Sequence, residues 1–347
     1  MKTNGNWNGA IKNLLAAINV ASPEQFSIGG RTFPVHGMNP GHAAHAGHNH
    51  QSQAHPLVLN LGAQLYEHAY SRPFRNPLPE AETLDFSPDA ELIEGLSVAN
   101  ATRERWEHGW IIGQLLQHGQ IMAHKGSQRR SLWPGQFLSK DGPASMPRPG
   151  AEISIFYAKE SRSLQSGFYY AFGEAAEDET RASGLVRLYW NVSADGAAKL
   201  ISLLTSRLNR FHVPFRLKCA TALSQFQRTD VAVVYLTKRY FRIIAELMLD
   251  VQPAVADYLD EDVPLFSKKI ARGLSVAEDP GSGESFGQSR CRPLAESVWN
   301  CYLRGDHTRE GRLKEFRRLL VAGGIDPKHQ HLNAGSLDWY ELPRELA

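Results

Sequence analysis

The chain has 347 residues, 42% of them hydrophobic and 21% charged, which suffices for a large folded core. A formal net charge of +2 excludes whole-protein attraction to nucleic acid, so any hold on an anion must come from local clustering. Three cysteines (Cys219, Cys291, Cys301) lack CxxC spacing, which argues against a disulfide framework or a structural zinc site. No apolar run approaches a membrane span, and the first residues lack the apolar core of a secretory signal. The expected location is the cytoplasm, with neither membrane nor nucleic acid as a partner.

In chain order, Ile11, Leu14, Leu15 and Ile18 recur at helical spacing and predict a helix over residues 8–19. A Gly- and His-rich stretch follows, with His36, His42, His45, His48, His50 and His55. It reads as a flexible insert, because its composition offers none of the rigid support that a catalytic metal needs. Residues 57–70 and 91–105 predict helices. Residues 110–125 predict two strands about His118-Gly119, and residues 131–139 one more. Residues 153–157, 167–172 and 186–191 are short apolar and aromatic runs bounded by turns, as strands of an antiparallel sheet are. Residues 195–210 form an amphipathic helix with Leu200, Leu203, Leu204 and Leu208 on one face and Ser193 at its N-cap. Strands follow over 214–219 and 231–236. Helices are expected over 239–249, 294–303 and 309–322, the last stopped by Gly323-Gly324. This order predicts an α+β fold: a mostly antiparallel sheet with packed helices, as one single domain behind a helical N-terminal region. The expected divisions are an N-terminal helix and strand-like segment (1–35), the His-rich insert (36–56) and the main domain (57–347).

The densest chemistry lies between Arg187 and Arg290. In PFRLKC, period-two alternation puts Arg216 and Lys218 on one strand face. Arg228 and Asp230 stand at the entrance to the next strand. Lys268 and Lys269 are placed in a loop after Pro264. Gly281, Gly283 and Gly287 bracket Glu284, Ser285 and Phe286, with Arg290 three residues on. Glycines admit a ligand close to backbone N–H groups, and guanidinium forks suit phosphate. For any single residue a solvated surface role competes; as a set they read as an anion site. No GxSxG elbow or HExxH motif occurs. Cysteine nucleophiles are disfavoured, since cysteine is mostly a small buried hydrophobe.

RLYWN, LNRFHVPFRLKC, QRTDVAVVYL and PGSGESFGQSRC, with LYEHAYSR, LQSGFYYAFGE and LNAGSLDWY, resemble the HopA-type effector family from residue 57 onward. That family includes bacterial effectors delivered into plants. It also includes phosphothreonine or phosphoserine lyases that work beside a kinase-like protein in lanthipeptide-type maturation of ribosomal peptides. The resemblance implies elimination of phosphate from a phosphorylated precursor peptide, leaving dehydrobutyrine or dehydroalanine, with no cofactor and no metal. Its implied partners are that peptide and the separate kinase-like protein. Such chemistry needs a base, cations for phosphate, and often an acid. By residue type and position, Lys218 is the first candidate base and Lys268 the second, with Asp230 orienting a neighbouring cation. Arg216, Arg228, Arg290 and Lys125 are candidate phosphate ligands. Tyr169, Tyr189, Asn191 and Ser285 are assigned to a peptide groove, and His124 and His212 are candidate acids. The competing reading is a non-catalytic effector or scaffold that binds a phosphorylated or acidic protein.

Overall fold

The computed structural model describes residues 7–36, 54–81, 84–142, 145–175 and 184–343. Helix α1 (Trp7–Ala16) buries Ile11, Leu14 and Leu15. It ends before the expected residue 19, because Ile18 and Val20 alternate into strand β1 (Ile18–Ser22). Strands β2 (Gln25–Ile28) and β3 (Arg31–Pro34) complete an antiparallel three-stranded sheet where one strand-like segment was expected within residues 1–35. His42, His45, His48 and His50 lie outside the described residues. His55 is a helix cap: its Nδ1 accepts the Leu57 N–H at 3.2 Å, and its ring stacks on Trp299 at 4.0 Å. Helix α2 (Pro56–Leu65) runs on into a π-helical turn, Tyr66–Tyr70. Helix α3 (Ala90–Ala99), capped by Asp89, stops short of the expected residue 105.

Strands β4 (Arg105–Leu115), β5 (Ile121–Lys125), β6 (Gln128–Leu132), β7 (Phe137–Ser139) and β8 (Glu152–Tyr157) form an antiparallel sheet in the order β6-β5-β4-β8-β7. Trp110, Ile112, Ile121, Ala123, Ile153 and Ile155 give it a small core of its own. The expected strands about His118-Gly119 are β4 and β5.

The remaining strands are β9 (Glu160–Gln165), β10 (Phe168–Phe172), β11 (Leu185–Trp190), β12 (Arg216–Ala220), β13 (Ala232–Thr237), β14 (Lys268–Ala271) and β15 (Leu274–Glu278). They build a seven-stranded antiparallel sheet, β14-β15-β11-β13-β12-β10-β9. One face packs on α4 (Ala194–Arg210) and α5 (Phe241–Val255), where Leu200, Ile201, Leu204, Leu208, Ile244 and Met248 are buried. Each such side chain contributes about 1.5–3 kcal/mol by leaving water. Ser193 sits at the α4 N-cap without a side-chain bond to the helix. Part of the opposite face packs under α6 (Phe286–Leu303), and α7 (Arg309–Ala322), α1 and α2 join the same core. The fold is thus α+β with antiparallel sheets.

The glycine-rich segment has a packing role. At Gly287, inside α6, a Cβ would lie 2.5 Å from the Tyr70 ring and 2.6 Å from Tyr66, so only glycine lets α6 approach the π-helical turn. Gly287→Ala should cost about 1–3 kcal/mol by overpacking. A denaturant melt showing unchanged stability would contradict that packing.

Candidate functional site

Strand register decides which side chains share a face. Tyr170 pairs with Lys218, Lys218 with Val233, and Val233 with Tyr189, so these four form one row. The adjacent row on the same face is Phe172, Arg216, Tyr235 and Arg187. This face therefore carries two guanidiniums and an ammonium among aromatic rings. The Lys218 Nζ lies 4.3 Å from the Phe168 ring centroid. The Tyr235 ring lies 5.3 Å from the Arg187 guanidinium carbon and 6.0 Å from that of Arg216. Such contacts are attractive through the ring quadrupole.

Two ion pairs frame the rows. Arg187 donates to Asp279 Oδ2 at 2.8 and 2.6 Å from its Nε and Nη2. Arg228 forms a fork on Asp230 at 2.8 and 3.0 Å and reaches the Tyr66 hydroxyl at 3.3 Å. Lys218 differs: among the described residues no carboxylate is ion-paired with it. Burial lowers its pKa from the ordinary lysine value; Asp230 and Tyr170 oppose the shift, while Arg187 and Arg228 reinforce it. Burial also raises the Tyr170 and Tyr235 hydroxyls, which keeps them protonated donors. A partly desolvated amine beside guanidiniums and phenol donors can take up a proton while an anion is held nearby.

Beside the Arg228–Asp230 pair, Gln227 and Thr229 line a cleft of about 990 Å³ that also includes Arg31, Arg72, Phe86 and Asn191. The assigned Asn191 thus borders a groove, although its amide donates to the Asp262 carbonyl at 3.0 Å.

Other assignments fall away from the cation face. Tyr169 points into the opposite core, where its hydroxyl donates to Glu160 at 2.8 Å and accepts from Asn100 at 3.0 Å. Tyr170, its neighbour in FYYAF, holds the place instead. Tyr189 shares the row of Lys218 but is 2% exposed beneath Phe286 and Tyr70, so it packs the floor. Ser285 caps α6, accepting the Gln288 N–H at 3.1 Å. Arg290 is 3% exposed, and its donors are taken up by the carbonyls of Gln330 and Leu332 and by Ser289 Oγ. Lys125 lies in the other sheet, paired with Glu107 at 2.9 Å. Lys268 and Lys269 stand in strand β14, not in a loop. Lys268 aligns with Val276 and Leu188 on the face opposite Lys218, and pairs with Asp338 at 2.8 Å. His124 stands on β5, and His212 follows α4 with φ of 51°.

Arg187, Tyr170, Tyr235 and Tyr66 join the cluster without having been assigned to it. Arg187 was detectable, since it stands two residues from Tyr189 on one strand. Tyr66 and Tyr235 needed the sheet order and the docking of the π-helical turn. Among the described residues no group of three or more His, Cys, Asp or Glu side chains could hold a metal ion. No described helix is long and apolar enough to cross a membrane.

The fold and the site define an α+β protein with a cationic, aromatic-lined sheet face. The HopA1 effector protein family matches over residues 159–332, which span β9 to β15 and every member of the cluster except Tyr66. The chain belongs to that family. Two solved structures are similar, both of effector proteins from Pseudomonas syringae. That from pathovar tomato strain DC3000 is 18% identical with a TM-score of 0.41, and that from pathovar syringae strain 61 is 16% identical with a TM-score of 0.43. Each alignment covers 80% of this chain and 96% of the other. No curated protein matches.

Proposed function

We propose that this chain is a lyase that eliminates phosphate from phosphothreonine or phosphoserine in a precursor peptide. The observation that carries the reading is Lys218, an amine of lowered pKa on a face shared with Arg187 and Arg216. Unprotonated Lys218 takes the Cα proton. The electron pair forms the Cα=Cβ bond, and the Cβ–O bond breaks to release phosphate. Arg216 and Arg187 hold the phosphate oxygens, and the Tyr235 hydroxyl donates to the departing oxygen, the Tyr170 hydroxyl being bonded to Gln165 Oε1 at 2.7 Å. The products are dehydrobutyrine or dehydroalanine and inorganic phosphate, and Lys218 then returns its proton to solvent. Cysteine addition to the new double bond would give a lanthionine-type ring. A separate kinase-like protein would supply the phosphorylated substrate, and the cleft beside Arg228 would take the flanking peptide.

Mass spectrometry of a phosphothreonine peptide incubated with the purified chain and a chelator tests this. Loss of the phosphoric-acid mass with release of free phosphate is the expected result. Simple hydrolysis to threonine would identify a phosphatase. Retention of the peptide without a mass change, with the cognate kinase and precursor present, would identify a binding module and overturn the lyase.

A further inference from the structure

The five-stranded sheet lies wholly before the family match and takes no part in the proposed elimination. Among the described residues, β6 and β7 each have one edge without a neighbouring strand. The sheet curls: two strands separate β6 from β8, yet the Arg130 guanidinium carbon lies 5.0 Å from the Tyr157 ring centroid. Between them is a cleft of about 400 Å³, lined by Arg129, Arg130, Ser131, Gln136, Phe156 and Tyr157. That volume lies within the range of ligand sites.

Register shows what the β6 edge offers. A two-residue turn joins β5 to β6, making Lys125 and Gln128 a hydrogen-bonded pair. Alternation then bonds Ala123 to Arg130 and turns the backbone groups of Arg129 and Ser131 towards the open edge. Charge shows what would fit there. The carboxylates between residues 105 and 157 are Glu107, Asp141 and Glu152. They are ion-paired with Lys125, Arg148 and Lys140 at 2.9, 3.1 and 2.9 Å. The remaining Arg and Lys side chains are Arg105, Arg129 and Arg130, none in an ion pair among the described residues. Arg105 also lies against Tyr157, at 4.6 Å. The excess positive charge of the segment thus gathers at the cleft.

We propose that this cleft binds an extended acidic peptide, added as a strand to the open edge of β6, with carboxylates beside Arg105 and Arg130 on one face of the sheet and beside Arg129 on the other. Alternating amides and carbonyls on the edge match a peptide backbone, and strand addition is a general mode of peptide capture. A second copy of the chain would present the same arginines, and like charges deter such pairing. A partner of opposite sign meets no such repulsion.

The test titrates the full chain against a fluorescent peptide alternating Thr and Glu, read by fluorescence anisotropy. Saturable binding that weakens with salt is expected, with none for a Thr/Lys peptide. Arg129→Glu with Arg130→Glu should weaken binding at least about tenfold. Ser131→Pro should do the same without changing the melting temperature, because that N–H faces away from β5 and proline is tolerated on edges. Wild-type affinity in Ser131→Pro, or equal affinity for a peptide with alternate amides N-methylated, would overturn strand addition. Tighter binding of a single-stranded oligonucleotide would reassign the cleft to nucleic acid. The peptide carries no phosphate, so the outcome is independent of the elimination assay.

Discussion

Lys218→Met should lower phosphate elimination by about 100- to 10,000-fold, the range for loss of a general base, while leaving the fold intact. Methionine keeps an unbranched stem against Phe168 and removes an ammonium that has no ion-paired carboxylate among the described residues. Melting temperature should therefore hold or rise. Binding of the phosphopeptide should persist, since Arg187 and Arg216 remain. Lys218→Arg should not rescue the rate, because a guanidinium stays charged across the accessible range.

The pH dependence follows from the lowered pKa of Lys218. Elimination should rise with pH as the amine loses its proton, with a midpoint below the ordinary lysine value. Stability has the matching sign. The unfolded chain holds the proton more tightly, so the contribution of Lys218 to stability increases as pH rises from the folded value towards the unfolded one. Rate measurements across pH, with wild type and Lys218→Met side by side, check both points. A methionine variant that eliminates at the wild-type rate would remove Lys218 as the base.

Glu278→Ala should give the largest loss of stability, about 3–5 kcal/mol, the cost of breaking a buried ion pair from one side. Glu278, at the end of β15, is fully buried. It accepts from Lys238 Nζ at 2.6 Å, the Tyr340 hydroxyl at 2.7 Å and the Asn333 N–H at 2.8 Å. Alanine would take the carboxylate from Lys238, which keeps its bond to Ser336 Oγ at 2.8 Å, leave the buried phenol without its acceptor, and release the C-terminal segment whose Tyr340 packs edge-on against Phe241 at 4.8 Å. Glu278→Gln retains the shape and should cost less. Burial pushes the Glu278 pKa up, but Lys238, Asn333, Ser336 and Tyr340 outweigh it and hold the group below the usual carboxylate range. Its contribution is therefore present above the unfolded value and lost as pH falls through the folded one. Urea melts of wild type and Glu278→Gln from neutral to acid pH should converge on the acid side. Parallel curves would contradict this account.

Local patterning read well where one element carried its own signal. The leucines of α4 repeat at helical spacing, and Leu200, Leu204 and Leu208 are buried as that repeat requires. The pairing of Arg216 with Lys218 on one face needed only the two-residue period of β12. Patterning failed where a partner element chose between readings. FYYAF offers Tyr169 and Tyr170 to opposite faces, and only the register with β12 shows that Tyr170 accompanies Lys218. Gly287 and Arg290 looked like parts of an anion loop, because glycine beside arginine serves close helix packing and phosphate binding alike. The approach of Tyr70 and the carbonyls of Gln330 and Leu332 decide for packing.

By itself the sequence determined the α+β class, most of the strands and helices, and the concentration of cations between Arg187 and Arg290. Those properties depend on periodicity and composition over a few neighbouring residues. Tertiary structure alone decided that Arg187, Lys218 and Tyr235 share a face while Lys268, Lys125 and Arg290 do not. The reason is that cross-strand register and helix docking join residues far apart in the chain, and no local period encodes which strands become neighbours.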